Sequence, residues 1–176
     1  LLPGWQNSGP THWQSCWERE HGDVRLEQHD WERPLRGDWI MRLEETLLAS
    51  DSPVMLVAHS LGCHLVAVWA AQSQITHKIK GALLVAPPDS TREDFPAVLH
   101  SWRQPVLEKL PFAAHVMASS NDPYCALNIA EQMAKAWGAG FECVGPLGHI
   151  NSESGLHEFE MGRSALQNLE QTSNNS

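Results

Sequence analysis

The segment Pro53-Val54-Met55-Leu56-Val57-Ala58 is an unbroken apolar run that passes through His59-Ser60-Leu61-Gly62 into an Ala- and Val-rich helical stretch over residues 61–72. A short apolar run without polar alternation reads as a strand covered on both faces. A strand that turns into a helix within a few residues belongs to a parallel sheet wrapped by helices, because parallel neighbours need crossover connections. The turn is also chemically loaded. It holds a serine between small residues, Ala58 and Gly62, two positions to either side.

The rest of the chain repeats this alternation. Gly81-Ala82-Leu83-Leu84-Val85-Ala86, Ala113-Ala114-His115-Val116-Met117-Ala118 and Phe141-Glu142-Cys143-Val144 read as further strands. Leu1-Leu2 reads as the end of a first strand, and Val24-Arg25-Leu26 as the start of a second running toward Trp31. Between them, Thr11 and Gln14 have the spacing of a capping box, and Trp13, Cys16 and Trp17 share one helical face. Asp38 is placed to cap a helix whose apolar face holds Trp39, Ile40, Leu43 and Leu47. Ile129, Met133 and Trp137 mark another helix, ended by Gly138 and Gly140, and Phe159, Gly162, Leu166 and Leu169 a closing one. The expected architecture is a three-layer αβα sandwich around a six-stranded parallel sheet, order 2-1-3-4-5-6 in chain numbering. One domain is expected over residues 1–170, and a frayed polar tail over 171–176.

Composition narrows the partners. Twelve Lys and Arg stand against 21 Asp and Glu, a formal net charge of −9, and the chain has no basic block. Neither nucleic-acid phosphates nor an anionic membrane surface suits such a chain. No apolar run approaches the length of a membrane span. The four cysteines, Cys16, Cys63, Cys125 and Cys143, form no CxxC pair. They read as reduced core thiols of a cytoplasmic protein, and no metal site is expected.

In wound parallel sheets, ligands bind at the carboxyl ends of the strands. After the third strand stands Ser60, on a turn tight enough to strain its backbone and expose its hydroxyl. A serine there also serves as a helix N-cap, but the strand–turn–helix context favours a nucleophile, with the Leu61 amide aimed at a developing oxyanion. A serine nucleophile needs a base, and the base needs an orienting acid. After the fifth strand stands Asp122, followed by Pro123. Asp89, after the fourth, is a competing acid. After the sixth, Gly145-Pro146-Leu147-Gly148-His149 can bring His149 back over the sheet edge. His59, adjacent to Ser60, must point its side chain elsewhere. His64 and His115 read as packing or surface residues.

The loop over residues 3–11 follows the first strand. Gly4 and Gly9 have phosphate-loop spacing, but Pro10 stands where the phosphate-binding lysine belongs and lacks an N–H. The better assignment is a second oxyanion donor, the Trp5 amide, with Gly4 allowing the backbone to approach.

Leu2-Pro3-Gly4-Trp5, His12-Trp13-Gln14, Ala58-His59-Ser60-Leu61-Gly62, Ser120-Asn121-Asp122-Pro123 and Gly148-His149-Ile150-Asn151 together resemble the small serine hydrolases of the retinoblastoma-binding protein 9 type. The resemblance implies an α/β-hydrolase fold without a large lid and a triad of Ser60, Asp122 and His149. It implies esterase- or amidase-like activity. Acyl transfer from a small ester or amide to water by such a triad calls for no metal or organic cofactor. Ala58 departs from the usual elbow glycine. The partner motif Leu-x-Cys-x-Glu is absent, because Leu61-Gly62-Cys63-His64-Leu65 ends in leucine, so no retinoblastoma-type partner is expected. Residues 87–111 can hold one or two short helices but no lid domain. Gly4, His59, Trp102 and Tyr124 are candidate pocket residues, although Trp102 suits a satellite core at least as well. The alternative function is a non-catalytic binding module that keeps the fold.

Overall fold

The computed structural model describes residues 1–174. Its sheet contains four parallel strands in chain order, β1 (Val54–His59), β2 (Ile79–Val85), β3 (Ala113–Ala118) and β4 (Gly140–Cys143). Among the described residues five α-helices accompany them: α1 (Trp13–His21), α2 (Arg36–Leu48), α3 (Leu61–Ala70), α4 (Leu127–Trp137) and α5 (Glu160–Asn174).

Alternation along the strands sorts the core into two layers, because successive strand side chains face opposite ways. Leu56, Ala58, Ala82, Leu84, Ala114 and Val116 face the buried residues of α2, α3 and α4, among them Leu43, Leu65 and Met133. Val57, Leu83, Val85 and Met117 face Trp13 and Trp17 of α1 together with Phe159 and Leu166. A layer of helices therefore covers each face of the sheet, and the continuous apolar runs are explained. The Ala- and Val-rich α3 is buried along nearly its whole length between β1 and α2.

The expected six-stranded sheet is corrected to four strands. Leu2 makes a single parallel bridge to Ala58, with the Leu2 amide donating to the Val57 carbonyl (2.8 Å) and the His59 amide to the Leu2 carbonyl (3.0 Å). Pro3 has no N–H to continue a ladder, and the chain turns away toward Ser60. Residues 24–26 lie alongside Leu1 through a hydrogen bond from the Leu26 amide to the Leu1 carbonyl (2.8 Å). They form no strand toward Trp31, because beyond them the Asp30 carboxylate accepts the Glu32 and Arg33 amides and closes a turn.

Two helix starts also differ from expectation. The N-cap of α1 is His12 rather than Thr11, and its ring accepts the Gln14 amide. Gln14 makes no capping box. Its buried amide reaches across to the Leu2 and Val57 carbonyls (both 3.3 Å) and so ties α1 to β1. The N-cap of α2 is Leu35, which places Asp38 within the first turn, where a carboxylate still complements the helix dipole. At the other end of the chain, α5 carries the helix through Thr172 and Ser173, whose hydroxyls bond the carbonyls four residues back. The expected tail is therefore helical to Asn174. Asn175 and Ser176 lie outside the described residues. Cys16, Cys63 and Cys125 are buried and unpaired, whereas Cys143 is exposed on β4 rather than in the core.

Candidate active site

Ser60 sits between the end of β1 and the first residue of α3 with φ 55° and ψ −123°, a strained conformation for a residue with a side chain. Its own amide is occupied, donating to the Val85 carbonyl (2.9 Å). The turn is possible because its neighbours are small. A Cβ on Gly62 would collide with the Leu2 carbonyl oxygen and stand 3.0 Å from the Pro3 carbonyl oxygen, both backbone atoms of the chain entering the first loop. A Cβ on Gly4 would lie 2.8 Å from the Ser60 Cβ and 3.2 Å from its Oγ. Ala58, where the motif departs from glycine, is fully buried in register with Leu84 and leaves the turn intact.

The Ser60 hydroxyl donates to His149 Nε2 (2.8 Å), and His149 Nδ1–H donates to the Asp122 carboxylate (2.8 Å to Oδ2, 3.1 Å to Oδ1). The Asp122 side chain is only 3% exposed and that of His149 9%. Asp122 Oδ1 also accepts the Tyr124 amide (2.9 Å), so the carboxylate is fixed by its own turn. Asp89 does not compete for His149. It bonds Thr91 instead.

The loop that presents His149 is held at successive peptide groups from three directions. The Ser119 hydroxyl accepts the Leu147 amide (2.9 Å), Asn121 Oδ1 accepts the Gly148 amide (2.7 Å) and His59 Nε2–H donates to the His149 carbonyl (2.9 Å). Trp13 Nε1–H donates to the Ile150 carbonyl (2.9 Å). Ile150 itself has φ 50°, so the backbone beside the histidine is held in a costly conformation. Sequence reading singled out His149 but none of these supports. Ser119 and Asn121 stood beside Asp122 and could have been weighed with it. Trp13 showed only as an apolar face.

His12, His59 and His149 form a ring chain, with centroids 4.7 Å apart for the first pair and 5.0 Å for the second. Burial holds the His12 imidazole down at about 3, helped by the Arg25 guanidinium and His149. Burial also drives His59 well below its ordinary range, with His12 and His149 adding to the effect. Both rings are therefore neutral beside His149.

A cavity of about 480 Å³ opens over Ser60, lined by Gly4, Trp5, His59, Leu61 and Tyr124. The segment after β2 supplies a further wall through Pro88, Phe95 and Leu99. Tyr124 packs edge-on against His149 at 4.7 Å. Trp102, a candidate pocket wall, is instead 2% exposed in the core, where it packs on Trp39 (5.5 Å) and donates to the Pro34 carbonyl. The short 3₁₀ segment Ala97–Trp102 turns it inward.

The amides of Trp5 and Leu61 make no hydrogen bond among the described residues, and Leu61 is the first residue of α3, where an amide has no intrahelical acceptor. Arg25, which sequence reading placed only in a strand, clamps the first loop. Its guanidinium donates to Asn7 Oδ1 and the Ser8 carbonyl (both 2.8 Å) and to the Ser15 hydroxyl, and it pairs with Glu18. No group of three His, Cys, Asp or Glu among the described residues is placed to hold a metal ion. No helix among them is long and apolar enough to cross a membrane.

Comparison with known proteins places the chain among enzymes. The sequence profile described as serine hydrolase matches residues 1–168. A YdeN-like hydrolase of Pectobacterium atrosepticum is 30% identical, with a TM-score of 0.86 over 98% of this chain and 90% of that one. The ydeN gene product of B. subtilis is 19% identical, with a TM-score of 0.74 over 96% and 95%. Est1E of Butyrivibrio proteoclasticus shares the fold at 11% identity, with a TM-score of 0.71 over 99% and 87%. No curated protein matches the chain in sequence.

Proposed function

Since the chain belongs to the serine hydrolase family and is a hydrolytic enzyme with an α/β-hydrolase fold, we propose that Ser60, His149 and Asp122 are its catalytic triad. The proposed reaction is hydrolysis of a small carboxylic ester or amide through an acyl-enzyme. The observation that carries this reading is the unbroken hydrogen-bond chain from Ser60 Oγ through His149 to Asp122.

In this mechanism His149 Nε2 takes the Ser60 proton as Oγ attacks the acyl carbonyl. Asp122 keeps Nδ1 protonated and stabilises the imidazolium. The Trp5 and Leu61 amides receive the oxyanion, and each such donor is worth about 3–4 kcal/mol in the transition state. His149 then protonates the leaving alcohol or amine. A water molecule, deprotonated by the same histidine, releases the acid and restores Ser60. No step requires a metal or an organic cofactor. Four unpaired cysteines suit a reducing compartment, which supports a cytoplasmic placement.

The test is a panel of p-nitrophenyl esters of increasing acyl length, assayed with the wild type and Ser60→Ala. The reading expects turnover of the shorter members that is lost in the variant. Equal turnover by the variant would place the chemistry elsewhere.

A further inference from the structure

Asp89 lines the cavity that holds Ser60, yet it takes no part in the hydrogen-bond chain through His149. Its Oδ1 is occupied, accepting the Thr91 amide (3.0 Å) and hydroxyl (2.6 Å). Its Oδ2 accepts no hydrogen bond among the described residues. The Asp89 amide donates to the Tyr124 carbonyl (3.0 Å), which fixes this carboxylate beside the residue that packs on His149.

The charges around it are unbalanced. Among the described lining residues the one Lys or Arg is Arg92. That guanidinium is already engaged, donating from two nitrogens to the Asp94 carboxylate (2.8 and 2.5 Å) and from a third to the Pro123 carbonyl (2.6 Å). His12 and His59 are kept neutral by burial and bring no compensating charge. What remains is a partly exposed carboxylate with one oxygen unbonded, in a cavity also lined by Pro88, Phe95 and Leu99, with the Arg92 guanidinium acting on it only through space. Trp5 and Tyr124 add aromatic side chains to the lining, and an aromatic ring can attract a cation through its quadrupole.

Resting on the reading of Ser60 as nucleophile, we infer that Asp89 is a specificity-determining residue that selects ester or amide substrates carrying a protonated amine near the scissile carbonyl. The free Oδ2 accepts a charge-assisted N–H bond from the ammonium group while the aromatic walls enclose its carbon skeleton. Anionic acyl substrates are disfavoured by the same carboxylate.

The experiment measures kcat/KM for two matched pairs, at a pH where the amines are protonated. Phenylalanine methyl ester is set against methyl hydrocinnamate, and dimethylaminoethyl butyrate against isopentyl butyrate. The wild type should favour the amine in at least one pair by about tenfold or more. Asp89→Asn should bring that ratio toward one. Raising the salt concentration should also lower the wild-type ratio, a readout that does not depend on a folded variant. No amine preference in either pair, or a preference that survives both Asp89→Asn and high salt, overturns the inference. A fluorophosphonate probe run in parallel separates the two proposals. Labelled Ser60 without amine selectivity sinks only the role of Asp89, whereas an unlabelled, folded wild type sinks the triad beneath it.

Discussion

His59 Nε2–H donates to the backbone carbonyl of His149 across 2.9 Å, so the residue before Ser60 holds the loop that carries His149. The bond joins the end of β1 to the loop after β4. A His59→Phe change keeps a ring but removes the donor and strands a carbonyl, a loss of about 1–3 kcal/mol. Steady-state kinetics should show kcat falling about tenfold or more with a smaller change in KM. His59→Gln, which can still donate, should recover part of the loss. An unchanged kcat in a folded His59→Phe enzyme would remove this positioning role.

Gly4 and Gly62 approach the serine turn from different sides and should fail differently. Gly62→Ala drives a methyl into the Leu2 carbonyl, a backbone atom in the buried edge of the sheet, and should destabilise the fold by about 1–3 kcal/mol or more. Gly4→Ala places its methyl on the Ser60 side chain, in a loop over the cavity. It should lower kcat/KM steeply while the urea midpoint moves less than for Gly62→Ala. Urea titration and ester assay on both variants give the comparison.

Asp122→Asn replaces the acceptor of His149 Nδ1–H with a group that can donate and so favours the wrong tautomer. Turnover should drop by about three to four orders of magnitude with the fold retained. Circular dichroism checks the fold and an ester assay the rate.

Acid should unfold the protein through its buried histidines. His12 has an ordinary value of 6.5 and is held at about 3 in the fold; His59 and His64 are also lowered by burial. Below pH 6.5 the unfolded chain binds protons that the folded chain refuses, so stability falls as pH decreases. The loss continues until each folded-state value is reached. Each such histidine contributes up to about 1.4 kcal/mol per pH unit over that window. Denaturation at pH 7 and pH 5 should show the decrease, and His12→Gln should flatten the slope. A slope unchanged by the substitution would mean that His12 is not among the groups responsible.

The parts of this molecule legible in the sequence are those set by short-range pattern. The run into Ser60 gave β1 and α3, because an apolar strand followed by a small-residue turn leaves few alternatives. Trp13, Cys16 and Trp17 showed the buried face of α1. Asp122 and His149 could be placed because each follows a strand. The edge of the sheet was not legible, since whether Leu2 extends into a ladder depends on the path the loop takes over Ser60. Gln14 and Arg25 were misread for a related reason: their partners, Val57 and Asn7, are set by tertiary approach rather than by spacing. Trp102 followed the same rule, because an indole is equally at home in a pocket wall and in a core until packing decides.

The central claim is that Ser60 is a nucleophile activated by His149. The most direct measurement is fluorophosphonate labelling of the folded wild-type protein, followed by peptide mass analysis. The account predicts a single adduct on the peptide containing Ser60, slowed strongly in His149→Ala and absent in Ser60→Ala. A folded wild type that takes no label, or an adduct that persists in Ser60→Ala, would contradict it.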